Sequence, residues 1–177
     1  MVEREISVLV VEDDDDSRTM MCTLLETVFD IEVVANSAPS AEEAMKRLEA
    51  CRFHLVIADI NLPGVSGLDL CELIHQTCPM TPVIIVSAMT DIQYAIEAMK
   101  RRAFDYLVKP IDVDKLKDSV ERAMKYQEVE MKRFYCEQSL QEDIQDLMQL
   151  NYQLRHVARP KVQDQAVSQA LTKSHRG

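Results

Sequence analysis

One carboxylate stands where the sheet of an α/β protein would display a reactive group. The apolar run Leu55-Val56-Ile57-Ala58 ends on Asp59, and a loop carrying Asn61, Pro63, Gly64 and Gly67 follows. A short, continuously apolar run bounded by turn residues suits a strand buried on both faces. An acid at its last position lies on the carboxyl edge, where open α/β sheets bind ligands. The chain has three glycines, one of them terminal, and both internal ones fall within eight residues of Asp59. Glycine adopts backbone angles that other residues resist, so this loop is expected to leave Asp59 exposed and reactive.

Other chemistry-bearing residues share that position. Glu12 and Asp13 follow the apolar run 6–11, Ser87 follows Val83-Ile84-Ile85-Val86, and Lys109 follows the run 104–108. In a parallel sheet all these ends lie on one edge. Three carboxylates at close range repel unless a cation neutralises them. Hard oxygen ligands suit Mg2+, which takes one or two carboxylates, keeps several waters and leaves room for a phosphate. Lysine brings a compact positive charge for a phosphoryl oxygen, and serine a hydroxyl donor for another. A carboxylate, a metal ion, a lysine and a hydroxyl are the parts needed to move a phosphoryl group onto an aspartate.

The elements that must position these groups can be read in order. Strands are expected at 6–11, 31–35, 53–58, 83–86 and 104–108, from apolar and β-branched runs. Between them, Ser17 opens a helix with Met21, Leu24, Leu25 and Val28 on one face. Ser40 with Glu43 forms a capping box, and Ser66 with Asp69 a second capping pair. A helix near 91–101 carries Ile92, Ala95, Ile96 and Met99, and Asp112 caps the last helix. Alternating strands and helices imply an α/β domain with a doubly wound parallel sheet and right-handed crossovers.

From Pro110 to Pro160 there is neither proline nor glycine, and Ala, Leu, Met, Glu, Gln, Lys and Arg dominate. The last helix is therefore expected to continue to Val157, a rod on the order of 65–70 Å at 1.5 Å per residue. Tyr126, Val129, Cys136, Leu140, Ile144, Leu147, Leu150, Leu154 and Val157 recur by threes, fours and sevens as one apolar stripe. Glu130, Arg133, Glu137 and Asp143 interrupt it, so the seam is firm only from Leu140. The stripe is read as the seam of a parallel homodimer, with folding back onto the chain's own domain as the alternative. The polar segment beyond Pro160 is expected to be disordered. The division implied is residues 1–125 as the α/β domain, 126–158 as a helical coiled-coil extension and 159–177 as a polar, basic tail.

Composition bounds the rest. The net charge of −10 lies in the first part, where residues 1–125 carry 13 Lys and Arg against 23 Asp and Glu. Such a domain is a poor non-specific binder of nucleic acid and attracts cations or basic partners instead. No apolar run is long enough to span a membrane, and Met1-Val-Glu-Arg-Glu5 has no signal-peptide character. Five cysteines without a C-x-x-C pair suit reduced thiols in a cytoplasm. The four histidines share no metal-ligand spacing. A calcium loop counted from Asp13 fails because Arg18 falls where glycine is needed.

Val10-Val11-Glu12-Asp13-Asp14, Ala58-Asp59-Ile60-Asn61-Leu62-Pro63-Gly64, Val86-Ser87-Ala88 and Tyr106-Leu107-Val108-Lys109-Pro110 together resemble the receiver domain of bacterial two-component response regulators. The likeness spans residues 5 to about 125. It implies a flavodoxin-like sheet of order 2-1-3-4-5. It implies Asp59 as phosphoacceptor from a sensor histidine kinase or phosphotransfer protein, with Mg2+ held by Glu12, Asp13, Asp59 and the backbone carbonyl of Asn61. Lys109 would bridge to the carboxylate and then the phosphate, through a cis bond to Pro110, while Ser87 and Tyr106 would form the switch pair. Glu12 stands where many relatives carry aspartate, and Met89 sits where the side chain affects phosphoryl lifetime. Phosphorylation would repack the face of helix 91–101, strand 104–108 and the last helix, and so change the dimer and reach an output partner that the sequence does not identify. A phosphatase of the haloacid dehalogenase kind would need an acid two positions after the nucleophile, where Asn61 stands. A receiver-like module that never takes a phosphate is the remaining alternative.

Overall fold

Five strands alternate with five helices in the computed structural model, which describes residues 5–29 and 31–157. The elements are β1 (Ile6–Val11), α1 (Asp15–Val28), β2 (Val33–Ala38), α2 (Ala41–Ala50), β3 (Leu55–Asp59), α3 (Gly67–Thr77), β4 (Val83–Ser87), α4 (Ile92–Lys100), β5 (Asp105–Val108) and α5 (Val113–Val157). All strand pairs are parallel, in the order β2-β1-β3-β4-β5. This is the flavodoxin-like arrangement expected from the sequence.

Period-two alternation splits the strand residues between two cores. Leu9, Val11, Val56, Ala58, Val83 and Ile85 meet α2 and α3 through Ala44, Leu48, Leu70 and Ile74. Val8, Val10, Leu55, Ile57, Ile84 and Val86 meet α1 and the start of α5 through Met21, Leu25, Leu116 and Val120. The three inner strands, β1, β3 and β4, are thus buried on both faces and present only their ends to solvent. That geometry turns their carboxyl edge into the site.

Three boundaries and one buried face differ from the sequence reading by more than a single residue. α1 begins at Asp15, not Ser17, because the Asp14 carboxylate accepts the Ser17 amide at 2.8 Å and acts as the cap. β2 runs to Ala38 although Asn36 and Ser37 are polar. As an edge strand it needs only β1, which it pairs from Ile6↔Val33 to Val11↔Ala38. β3 starts at Leu55, with Phe53 buried just ahead of it. α4 buries only Ala98 and turns Ile92, Ile96 and Met99 to solvent.

The other caps follow expectation. Ser40 accepts the Glu43 amide at 3.3 Å and Ser66 the Asp69 amide at 3.2 Å. Asp112 accepts the amides of Asp114 and Lys115. The Glu43 carboxylate pairs with Lys46 and Arg47, so only the serine half of that capping box forms. The chain divides into two units between Lys132 and Arg133. In the first, Ser119 and Arg122 of α5 bind the Asp105 carboxylate of β5, and Arg122 also lies over the Phe104 ring. In the second, α5 continues through an Arg133–Glu137 pair at 3.0 Å and a stacked Tyr152–His156 pair. The expectations for residues 158–177 lie outside the described residues.

Candidate functional site

The site is assembled by strand ends. β1 delivers Glu12, β3 delivers Asp59, β4 delivers Ser87 and β5 delivers Lys109. Register fixes their proximity, since Asp59 lies beside Val86 and Ser87 beside Val108. The loop after Asp59 is held by short bonds. The Asn61 amide donates to Asp59 Oδ1 at 2.9 Å, and the Gly67 amide to the Ile60 carbonyl at 2.9 Å.

The two internal glycines are needed for different reasons. Gly64 has φ +76°, a left-handed turn. At Gly67 the limit is space, because a Cβ there would meet the Asp59 carbonyl oxygen at 1.9 Å. Helix α3 can start against the end of β3 only if residue 67 lacks a side chain.

Lys109 joins the two central acids. Its ammonium donates to Glu12 Oε2 at 2.6 Å and to Asp59 Oδ2. Glu12 and Asp59 are each only 7% exposed, so the expectation of an exposed Asp59 is not met. The side chain of Lys109 and the Asn61 amide occupy both its oxygens. Loss of water pushes the Glu12 carboxyl above the usual range, and the negative charge of Asp59 pushes it the same way against the pull of Lys109. Burial alone would lower Lys109, but its bonds to Asp59 and Glu12 outweigh that and hold it above the ordinary lysine value.

Asp13 does not join the pair. Its side chain is exposed, and among the described residues no three His, Cys, Asp or Glu side chains gather as a metal cage. Of the three expected carboxylates, Glu12 and Asp59 are buried on Lys109 and Asp13 is exposed beside them. Two near-buried carboxylates sharing one lysine still leave a net negative charge. With the Asp13 carboxylate and the Asn61 carbonyl on adjoining positions, the available donors are all hard oxygens. Such a set fits Mg2+, which needs only one or two carboxylates and retains water.

Ser87 is fully buried at the end of β4, and its Oγ accepts the Met89 amide at 3.1 Å. The half-buried Tyr106 donates its hydroxyl to the Met89 carbonyl at 2.7 Å. The two residues thus hold opposite sides of one peptide segment. Lys109-Pro110 is cis, as expected.

Arg18, in sequence only the residue that breaks a calcium loop, has a structural role that its position in the chain does not signal. Its guanidinium donates to the carbonyls of Glu12 at 2.7 Å and Asp13 at 3.2 Å, and it pairs with Asp15. It pins the backbone of the acidic turn from one helical turn away. Nothing in the spacing of one arginine among five acids marked that role.

Comparison with known proteins adds an independent line. Residues 8–121 match the family model for the response regulator receiver domain. The chain is 34% identical over 152 residues to the response regulator protein PilR of Pseudomonas aeruginosa, covering 85% of this chain and 33% of that protein. It is 35% identical over 120 residues to the DNA-binding transcriptional regulator NtrC of Escherichia coli, covering 67% and 26%. The chain thus spans about a third or less of the length of these curated relatives. Among solved structures, a signal receiver domain of an HD domain-containing protein from Pseudomonas fluorescens superposes with TM-score 0.66 at 25% identity, covering 71% of this chain and 99% of that one. The response regulator protein TrrA of Thermotoga maritima, solved in complex with Mg2+-BeF, superposes with TM-score 0.60 at 27% identity, covering 67% and 98%.

Proposed function

The chain belongs to the response regulator receiver domain family, and on that premise we propose that Asp59 accepts a phosphoryl group from a phosphohistidine of a sensor kinase or phosphotransfer protein. The observation that carries this reading is the Lys109 ammonium held between the Asp59 and Glu12 carboxylates at the sheet edge.

A carboxylate oxygen of Asp59 forms the new bond to phosphorus as the bond from phosphorus to the donor histidine nitrogen breaks, and the electron pair leaves with that nitrogen. Glu12, Asp13, Asp59 and the Asn61 carbonyl would hold Mg2+, which supplies charge neutralisation for the phosphoryl oxygens. Lys109 keeps its proton because its pKa is held high, so it remains a positive charge beside the transferred group. Glu12 and Lys109 also fix the attacking carboxylate in place before the donor arrives, which is the positioning term of catalysis. The Asn61 carboxamide is too weak an acid to protonate a leaving group, so hydrolysis of phosphate esters is not supported. The domain acts as a phosphoacceptor in signalling and not as an enzyme with a turned-over substrate.

The output path begins at Ser87. Its hydroxyl proton is free to donate to a phosphoryl oxygen, while its oxygen already holds the Met89 amide. Movement of that peptide would be felt by Tyr106 through the Met89 carbonyl, and so by the face of α4, β5 and α5. We assign residues 1–125 to the receiver and 126–158 to a helical extension that pairs in a homodimer, with the site working in the reducing cytoplasm that five free thiols suit. Incubating the chain with acetyl phosphate should label the wild type only with Mg2+ present and leave Asp59→Asn unlabelled. Light scattering with a beryllium fluoride mimic should then show a change in mass. Equal labelling of Asp59→Asn would remove Asp59 from the role, and an unchanged mass would remove the oligomeric switch.

A further inference from the structure

One carboxylate ties the strand of Tyr106 to the last helix. Asp105 opens β5, immediately before Tyr106. Its Oδ1 accepts the Tyr106 amide at 2.8 Å. Its Oδ2 accepts the Ser119 hydroxyl at 2.7 Å and pairs with the Arg122 guanidinium, both on α5. The two oxygens therefore serve different elements, one the backbone of β5 and the other the side chains of α5.

The α5 side of this contact is well held. Ser119 is fully buried, and a buried hydroxyl that loses its partner costs free energy, so Ser119 is drawn along when Asp105 shifts. Arg122 is braced by Asp118 at 2.8 Å, and its guanidinium lies 5.8 Å from the centre of the Phe104 ring. Phe104 in turn meets Tyr126, with ring centroids 5.5 Å apart. Ser119, Arg122 and Tyr126 recur at intervals of three and four, so they share one face of the helix. Phe104 and Asp105 grip that face over about two turns. Tyr106 is thus bound at both ends, its hydroxyl to the Met89 carbonyl at 2.7 Å and its amide to the carboxylate that holds α5. Deepening the output path proposed above, on which it rests, we propose that Asp105 is the positioning residue that carries a change at Tyr106 into α5, with one oxygen on the strand and the other on Ser119 and Arg122. Asp105 opens the strand whose far end leads to Lys109, so this link can be cut without removing a group from Asp59.

The test is hydrogen–deuterium exchange of the full chain, read by mass spectrometry with and without Mg2+ and beryllium fluoride. In the wild type, exchange should change on adding the mimic both at 104–108 and at 113–126. In Asp105→Ala the change at 104–108 should persist and the change at 113–126 should be lost, with Asp59 still labelled by acetyl phosphate. Asp105→Asn, which keeps an acceptor oxygen but not the charge, should recover part of it. Ser119→Ala combined with Arg122→Met cuts the link from the α5 side and should lose the same response. A purely structural contact would raise exchange at 113–126 equally in both states and leave the difference between them intact. That result, or a wild-type response at 113–126 in Asp105→Ala, overturns this proposal alone. A wild type labelled at Asp59 but silent at 104–108 overturns the output path and this proposal with it, whereas an unlabelled wild type overturns the phosphoacceptor reading beneath both.

Discussion

Replacing Gly67 by alanine probes how tightly the reactive aspartate is built into the sheet. An added Cβ would lie 1.9 Å from the Asp59 carbonyl oxygen, 2.7 Å from its carbonyl carbon and 3.1 Å from the Ile60 Cα. An ordinary carbon–oxygen contact is about 3.3 Å or more, so the end of β3 and the start of α3 must separate by more than 1 Å. The nearest atoms are backbone, and neither side yields easily. Asp59 is in register with Val86, and the Gly67 amide is bonded to the Ile60 carbonyl at 2.9 Å. Overpacking of this kind costs about 1–3 kcal/mol, with backbone clashes at the upper end. The thermal midpoint should fall by roughly 10 °C. A shift of about 1 Å at a reacting group can cost on the order of a hundredfold in rate, so phosphorylation by acetyl phosphate should slow by about that factor. Gly64→Ala is the control. Its Cβ would meet only the flexible end of Glu42 at 3.0 Å, and its cost of roughly 1–2 kcal/mol comes from φ +76°. If Gly67→Ala melts and labels like wild type, the contact between α3 and the strand end does not position Asp59.

Three other perturbations test separate parts of the account. Lys109→Met leaves Glu12 and Asp59 close together without their shared cation, so it should destabilise by about 2–4 kcal/mol in urea melts. Adding Glu12→Gln should restore part of that loss, and a double variant less stable than Lys109→Met would contradict the shared-charge reading. Arg18→Met frees the carbonyls of Glu12 and Asp13 and should slow phosphorylation by roughly tenfold with the fold intact by circular dichroism; an unchanged rate would reduce Arg18 to a surface residue. Burial pushes the Cys71 thiol up to about 11. A raised acid pKa means the folded state holds the proton more tightly, so stability from this thiol is present below the ordinary cysteine range and is lost as pH rises from about 8.5 toward 11. Cys71→Ala should flatten that alkaline loss, and iodoacetamide at pH 8.5 should modify the exposed Cys51 and Cys136 well before Cys71; equal rates would refute the burial argument.

The parts of this molecule that could be read from sequence are those set by local pattern. Continuous apolar runs gave the inner strands, and each chemistry-bearing residue followed directly at a run's end. That is why Glu12, Asp59, Ser87 and Lys109 were recognisable before any contact was known. β2 was misplaced because edge strands tolerate polar residues, and Asn36 and Ser37 broke the apolar signal. The burial of Asp59 was not legible because it depends on Lys109, 50 residues away. The solvent-facing side of α4 was hidden for the opposite reason. Ile92, Ile96 and Met99 look like a core face, and only the packing of Ala98 shows which side is inward. Arg18 acts on carbonyl oxygens, which carry no sequence signature.

Borohydride reduction of the phosphorylated chain, followed by peptide mapping, reads the central claim at one residue. An aspartyl phosphate is reduced to homoserine, whereas phosphoserine and phosphohistidine are not. Homoserine is expected at position 59 after treatment with acetyl phosphate and Mg2+, and nowhere when Mg2+ is withheld. Hydroxynorvaline at position 12, homoserine at position 13, or an unmodified peptide around position 59 in a chain that has taken up phosphate, would contradict it.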